Sequence, residues 1–279
     1  MAWTLLILYC FAIFAAALLG GWLPRRLAMT HTRTQLVMSL VSGLMLGVAC
    51  YHLVPHSVAA ASDIDFTMQW LMAGMVFMLL MLRLFHFHQH DFGIDAQACS
   101  DGDGNDHHHS TAHDHAHPPE GRATLSGLGL LLGLVIHTLV DGIALGAVMR
   151  AAGMTGGVLG LGVFLAILLH KPLDSLSIET MMQRAQWSES IRWIVNIGFA
   201  LVCPLAALTF FAWVPDIAGQ SILLAAALAF SAGAFVCIAL GDLLPEVHFH
   251  SHDRIPLTAM FLLGVGAAFA IGWLEPSHF

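Results

Sequence analysis

Eight apolar runs, each long enough to cross a lipid bilayer, constrain the fold of this chain more than any other feature. They fall near residues 3–23, 36–60, 68–87, 124–149, 157–182, 190–213, 219–247 and 256–275. About 20 consecutive apolar residues suffice for one helical crossing. Across the 279 residues, 58% are hydrophobic and 10% are charged, where an ordinary soluble domain is about a quarter charged. A soluble domain has too little interior to hide that much apolar surface. The pattern predicts an all-α integral membrane protein with eight transmembrane helices. The 26 glycines fit such a bundle, because membrane helices approach closely at small residues.

The first run has no basic residue before it, while Arg25 and Arg26 follow it directly. A secretory signal has the opposite flank and a small-residue cleavage site, so this run reads as a span. Lys and Arg stay preferentially in short cytoplasmic loops. With the N-terminus outside, Arg25, Arg26, Arg33, Arg83, Arg122, Arg184, Arg192 and Arg254 all lie at or near the cytoplasmic face. Only Arg150 is then outside, and Lys171 falls within the membrane. Both termini are therefore expected outside the cytoplasm, in the inner membrane if the source is bacterial. The five cysteines form no CxxC pair, and Cys10, Cys50, Cys203 and Cys237 read as small buried hydrophobes. The net charge of −8 says little about partners, since much of it sits in one loop.

Two short patterns recur in opposite directions across the bilayer. Span two carries "CYHLVPHSV" from Cys50 to Val58, and span seven carries "LGDLLPEVH" from Leu240 to His248. Spans four and five each place a histidine four residues before an aspartate: His137 with Asp141, and His170 with Asp174. Pairing two with seven and four with five is the order of an inverted 3+2+3 repeat, a common transporter design with its site near mid-depth.

Residues four apart share one helix face, with Cβ atoms about 5–6 Å apart. Each His–Asp pair therefore presents an imidazole and a carboxylate to a common point. A charged group at the bilayer centre costs at least about 2.5 kcal/mol, so it normally faces a partner or a cavity. Two such faces turned together offer two nitrogens and two oxygens, a set that suits a divalent transition metal, zinc most readily. One pair alone reads equally well as polar glue between packed helices. Two pairs with Lys171 beside them favour a functional site.

At these residues the sequence resembles the ZIP (Zrt/Irt-like) family of metal transporters. The resemblance rests on "HTLVDG" from His137 to Gly142, "HKPLDS" from His170 to Ser175, "GDLLPE" from Gly241 to Glu246 and "HLVP" from His52 to Pro55. It implies eight spans, outward termini and a metal site at His137, Asp141, His170 and Asp174. Many relatives carry a second ligand directly after each histidine, which helps build a two-metal centre. Here Thr138 and Lys171 stand there, so a mononuclear centre is expected, with the Lys171 ammonium in place of the second ion. An arriving metal would displace that ammonium, which makes Lys171 a candidate charge switch. Pro172 lacks an N–H and deprives the Leu168 carbonyl of its helical partner. It reads either as a flexible kink beside the ligands or as a tolerated membrane proline.

The segment His86–Glu120 holds nine of the 18 histidines with six aspartates. Its composition argues disorder, and His107, His108, His109, His113, His115 and His117 are candidate metal collectors, the alternative being a solvated linker. "HFHSH" from His248 to His252 is a second candidate. His52, His56, Asp242 and Glu246, at span ends, either line the ion path or cap helices. The chain thus divides into residues 1–85 with three spans, a His/Asp-rich cytoplasmic loop over 86–123, and residues 124–279 with five spans and the metal site.

The functional expectation is a transporter moving zinc, or else iron, manganese or cadmium, toward the cytoplasm. It requires no cofactor and is no enzyme. Its partners are divalent ions, the bilayer and, as an option, a second copy in a homodimer; nucleic acid is not among them. A cation-diffusion-facilitator-like exporter also pairs His and Asp on two helices, but usually has six spans and a folded tail. An intramembrane zinc hydrolase would need an open water position at the metal, for which four ligands and Lys171 leave little room.

Overall fold

The computed structural model describes residues 2–22, 31–84, 120–152, 160–213, 221–249 and 254–273. Every regular element among them is helical: α1 (Ala2–Trp22), α2 (His31–Val48), α3 (Val54–Ala61), α4 (Ile64–Leu84), α5 (Glu120–Ala152), α6 (Leu161–Arg184), α7 (Glu189–Trp213), α8 (Ser221–Phe249) and α9 (Arg254–Gly272). Counting α2 and α3 as one crossing, eight helices are long and apolar enough to span a membrane. The chain is an all-α, multi-pass integral membrane protein.

A π-helical turn, Ala49–Leu53, joins α2 to α3, with the Val54 N–H reaching back to the Ala49 carbonyl. Pro55 follows at the start of α3 and has no N–H to give. The extra residue in the turn re-aims the face: Cys50 and Tyr51 are exposed, while His52 and Leu53 are buried. π-Turns of this kind are often found at functional positions. Between α3 and α4 the chain reverses through Ser62, in the left-handed region at φ 55°. Asp63 then caps α4 by accepting the Asp65 N–H at 2.9 Å.

The helices pack in pairs: α2 on α9, α4 on α8, α5 on α7 and α1 on α6. Glycines set the closeness of these pairs. Gly43 of α2 lies on the Phe261 carbonyl of α9, and Gly264 of α9 lies on the Leu40 carbonyl of α2. The same reciprocal contact joins α4 to α8, with Gly74 on the Phe230 carbonyl and Gly233 on the Leu71 carbonyl. A side chain at any of the four would meet backbone, not a movable neighbour. Without a hydrophobic drive between helices in lipid, such close backbone approach is the main source of association.

Two apolar clusters bracket the middle of α5 and α6. One side holds Leu145, Val148 and Met149 of α5 with Val163, Phe164 and Ile167 of α6, joined by Leu6, Ile13 and Leu53. The other side holds Leu134 of α5, Ile178 and Met182 of α6 and Phe199 of α7. The polar residues of the site lie in the band between them.

Candidate metal centre

Helices α5 and α6 bring their two His–Asp faces together. His137, Asp141, His170 and Asp174 each offer a ligand atom, and these atoms all lie within 4.8 Å of one another. All four residues are buried, Asp141 completely and Asp174 least so at 9% exposed. Asp141 Oδ2 is the hub, 3.2 Å from His170 Nε2 and 3.5 Å from His137 Nε2. Asp174 Oδ2 lies 3.8 Å from each of the same two nitrogens.

The backbone of α6 orients the second histidine. His170 Nδ1 lies 2.8 Å from the Ala166 carbonyl, which can only accept, so Nδ1 carries the proton. In the neutral ring Nε2 then presents its lone pair to the centre, and a second-shell bond of this kind is what fixes a ligating imidazole. That lone pair faces the Asp141 carboxylate, two acceptors with a gap suited to a cation. His137 Nδ1 and Asp141 Oδ1 are also buried, with no hydrogen-bond partner among the described residues.

Lys171, fully buried, is held by three acceptors. Its Nζ donates to Thr138 Oγ1 at 2.8 Å, to Asp141 Oδ2 at 2.8 Å and to Asp174 Oδ2 at 3.2 Å. An ammonium has three protons, and all are used. The Phe199 ring lies 5.3 Å from Nζ and adds a cation–π contact. α6 stays helical through Pro172, and Gly20 of α1 sits on the Pro172 carbonyl, so the proline is clasped by a neighbouring helix.

The other sequence candidates lie elsewhere. His52 is buried with Nε2 2.9 Å from the Ala268 carbonyl of α9, and His56 Nδ1 is 2.6 Å from the His52 carbonyl; neither joins the four-residue cluster. Asp242 and Glu246 fall on the last turns of α8, where side chains are outside the described part of the structure. The same holds for His107, His108, His109, His113, His115 and His117, and for the "HFHSH" stretch beyond its helical start. Three further groups stand out in the structure. Thr138, at a position where many relatives carry a ligand, anchors Lys171 instead. Glu179, 2% exposed, accepts from Gln183 at 2.8 Å and lies 3.6 Å from Arg192 Nε. Asn196, a lone amide in the apolar run of α7, is buried. The signal for Glu179 was available: Lys171, Ser175, Glu179 and Gln183 recur every four residues on one face.

A protein-family model described as the ZIP zinc transporter matches residues 2–272, essentially the whole chain. The chain belongs to the ZIP family. No curated protein matches it. ZIP membership makes it a transporter of divalent metal ions, and the buried His/Asp cluster suits such an ion as cargo. Members of the ZIP family are transporters and not enzymes.

Proposed function

We propose that this ZIP protein carries zinc, or a similar divalent ion such as iron, manganese or cadmium, toward the cytoplasm, one ion at a time. The ligands are His137, Asp141, His170 and Asp174. One observation carries the reading. Zinc binds imidazole nitrogen and carboxylate oxygen at about 2.0–2.2 Å, so the edges of a tetrahedral site measure about 3.3–3.5 Å. Four of the six edges, the nitrogen–oxygen separations of 3.2, 3.5, 3.8 and 3.8 Å, are within a few tenths of an ångström of that, and no edge exceeds 4.8 Å.

Charge argues for a single ion. Asp141 and Asp174 contribute two negative charges and Lys171 one positive, so one divalent ion leaves the centre at +1. A second would leave it at +3 in a low-dielectric band, where unpaired charge is costly. Lys171 thus stands where a second ion would otherwise bind. The basic residues support outward termini and a cytoplasmic His/Asp-rich loop, and the imidazoles and carboxylates of that loop suit it to collect incoming metal. The inverted 3+2+3 repeat draws support from the helix pairs: exchanging span two with seven and three with eight turns the α2–α9 contact into the α8–α4 contact.

Reconstitution into proteoliposomes tests the reading. Zn2+ placed on the side of the termini should enter, equilibrium counting should give one ion per chain, and His137→Ala with His170→Ala should abolish both. Unchanged Zn2+ binding and flux in that double variant would remove the centre from the transport path. Net export would favour the exporter reading instead.

A further inference from the structure

We infer that Ser175 and Asn196 form a second berth for the Lys171 ammonium, taken up when a divalent ion claims the two aspartates. The inference rests on the metal centre proposed above. An ion ligated by Asp141 Oδ2 and Asp174 Oδ2 would use the same two atoms that accept from Lys171 Nζ. A divalent ion and an ammonium repel one another across a shared oxygen, so the lysine must give way. Of its three present acceptors Thr138 Oγ1 alone would then remain, and the unpartnered Asp141 Oδ1 belongs to a carboxylate that the ion has taken. A buried cation with one acceptor is not tolerated, so a displaced ammonium needs oxygen atoms within its reach.

Two such atoms lie about one turn further along, Ser175 Oγ on the same face of α6 and Asn196 Oδ1 on α7. Ser175 follows Lys171 by four residues on α6, and side chains on a helix lean toward its N-terminus. The Ser175 hydroxyl therefore leans back over the turn that carries Lys171. Ser175 is fully buried and Asn196 is 3% exposed. Ser175 Oγ and Asn196 Oδ1 both have no hydrogen-bond partner among the described residues. The antiparallel register of α6 and α7 puts them at one level. Lys171 lies against Phe199 and Glu179 lies against Arg192, so Ser175, midway on α6, lies opposite Asn196, midway on α7. The Asn196 amide packs against Gly21 of α1, which has no side chain to displace it.

The surroundings suit a moving cation. Phe199, one turn from Asn196 on the same face of α7, keeps its ring beside the ammonium in either position. Beyond the berth, Glu179 is already engaged by Arg192 and Gln183. Buried oxygens without partners are costly and uncommon. Two at one level, beside a lysine whose carboxylates are the metal's ligands, are accounted for by an ammonium that arrives with the ion.

The test measures Zn2+ affinity of the full-length purified protein by competition with a chromophoric chelator. A hydrogen bond to a charged group carries enough free energy that Ser175→Ala and Asn196→Leu should each weaken Zn2+ binding by about 10-fold. In a Lys171→Met background the same changes should have no effect, because no ammonium needs a berth. Asn196→Asp should tighten binding only where the lysine is present, a gain that a misfolded variant cannot mimic. Parent-level affinity in Ser175→Ala and Asn196→Leu, or equal losses with and without Lys171, would overturn the berth. If binding also survives His137→Ala with His170→Ala, the centre itself is wrong and the berth falls with it. If it depends on those histidines but not on Ser175 or Asn196, the berth alone is wrong.

Discussion

Asp141 Oδ2 is shared by two imidazoles and an ammonium, and this one atom holds the centre together. Asp141 is fully buried, whereas the Asp174 side chain is 12% exposed, so the two carboxylates are not equivalent. Breaking a buried charge pair by removing one partner costs about 3–5 kcal/mol, because the other charge is left uncompensated. Asp141→Asn should therefore lower the unfolding midpoint in detergent, with chelator present, well below that of Asp174→Asn. Equal midpoints would mean that Asp174 balances Lys171 by itself. In the proposed single-ion centre, Lys171 takes the place of a second ion. Lys171→Glu should raise bound metal from one ion toward two, and Lys171→Met should bind one ion more tightly and release it more slowly. Metal counting and flux on both variants check this, and parent behaviour in both would deny the lysine any role at the centre.

At the scale of helices, glycine decides which pairs pack closely. A Cβ at Gly233 would meet the Leu71 carbonyl, and one at Gly264 the Leu40 carbonyl. Gly233→Val and Gly264→Val should each cost about 1–3 kcal/mol through forced separation of the helices. Gly198 of α7 is the contrast, since nothing lies within 4 Å of a Cβ placed there. Gly198→Ala should leave stability unchanged or raise it by about 0.5–1 kcal/mol, because alanine restricts the backbone less unfavourably in a helix. Thermal unfolding of the three variants reads both effects. Under the proposed repeat, Gly43→Val should match the loss in Gly233→Val and Gly74→Val the loss in Gly264→Val, because exchanging span two with seven and three with eight pairs those glycines.

Eight crossings put both ends of the chain on one side of the membrane, and the proposed topology makes that the non-cytoplasmic side. Tags at the two ends should be accessible from the non-cytoplasmic face in intact cells or spheroplasts, and accessibility only after permeabilisation would invert the topology. The His/Asp-rich segment belongs to the same scale. Deleting His86–His117 should leave the protein folded and transporting, with lower metal retention, because a polar low-complexity segment adds nothing to helix packing. Complete loss of flux with normal membrane insertion would make the segment part of the path itself.

The number of crossings, the helical class and the two His–Asp faces could be read from the sequence because they depend on local periodicity and on bilayer thickness alone. Four residues is one turn in any helix, so His137 with Asp141 and His170 with Asp174 were bound to face together. Boundaries were less legible: α5 begins at Glu120, four residues before the apolar run, because a helix continues into polar sequence until its backbone finds another partner. The π-helical turn at Ala49–Leu53 left no mark in composition either, since it changes only which carbonyl an N–H reaches. What the tertiary structure alone decided is how the helices are rotated and how closely they approach. That rotation and spacing make Asp141 Oδ2 the shared atom, give Lys171 its third acceptor in Thr138, and set Ser175 level with Asn196. Those relations join residues about 20 to 35 positions apart, and no helical periodicity reaches across a loop to set them.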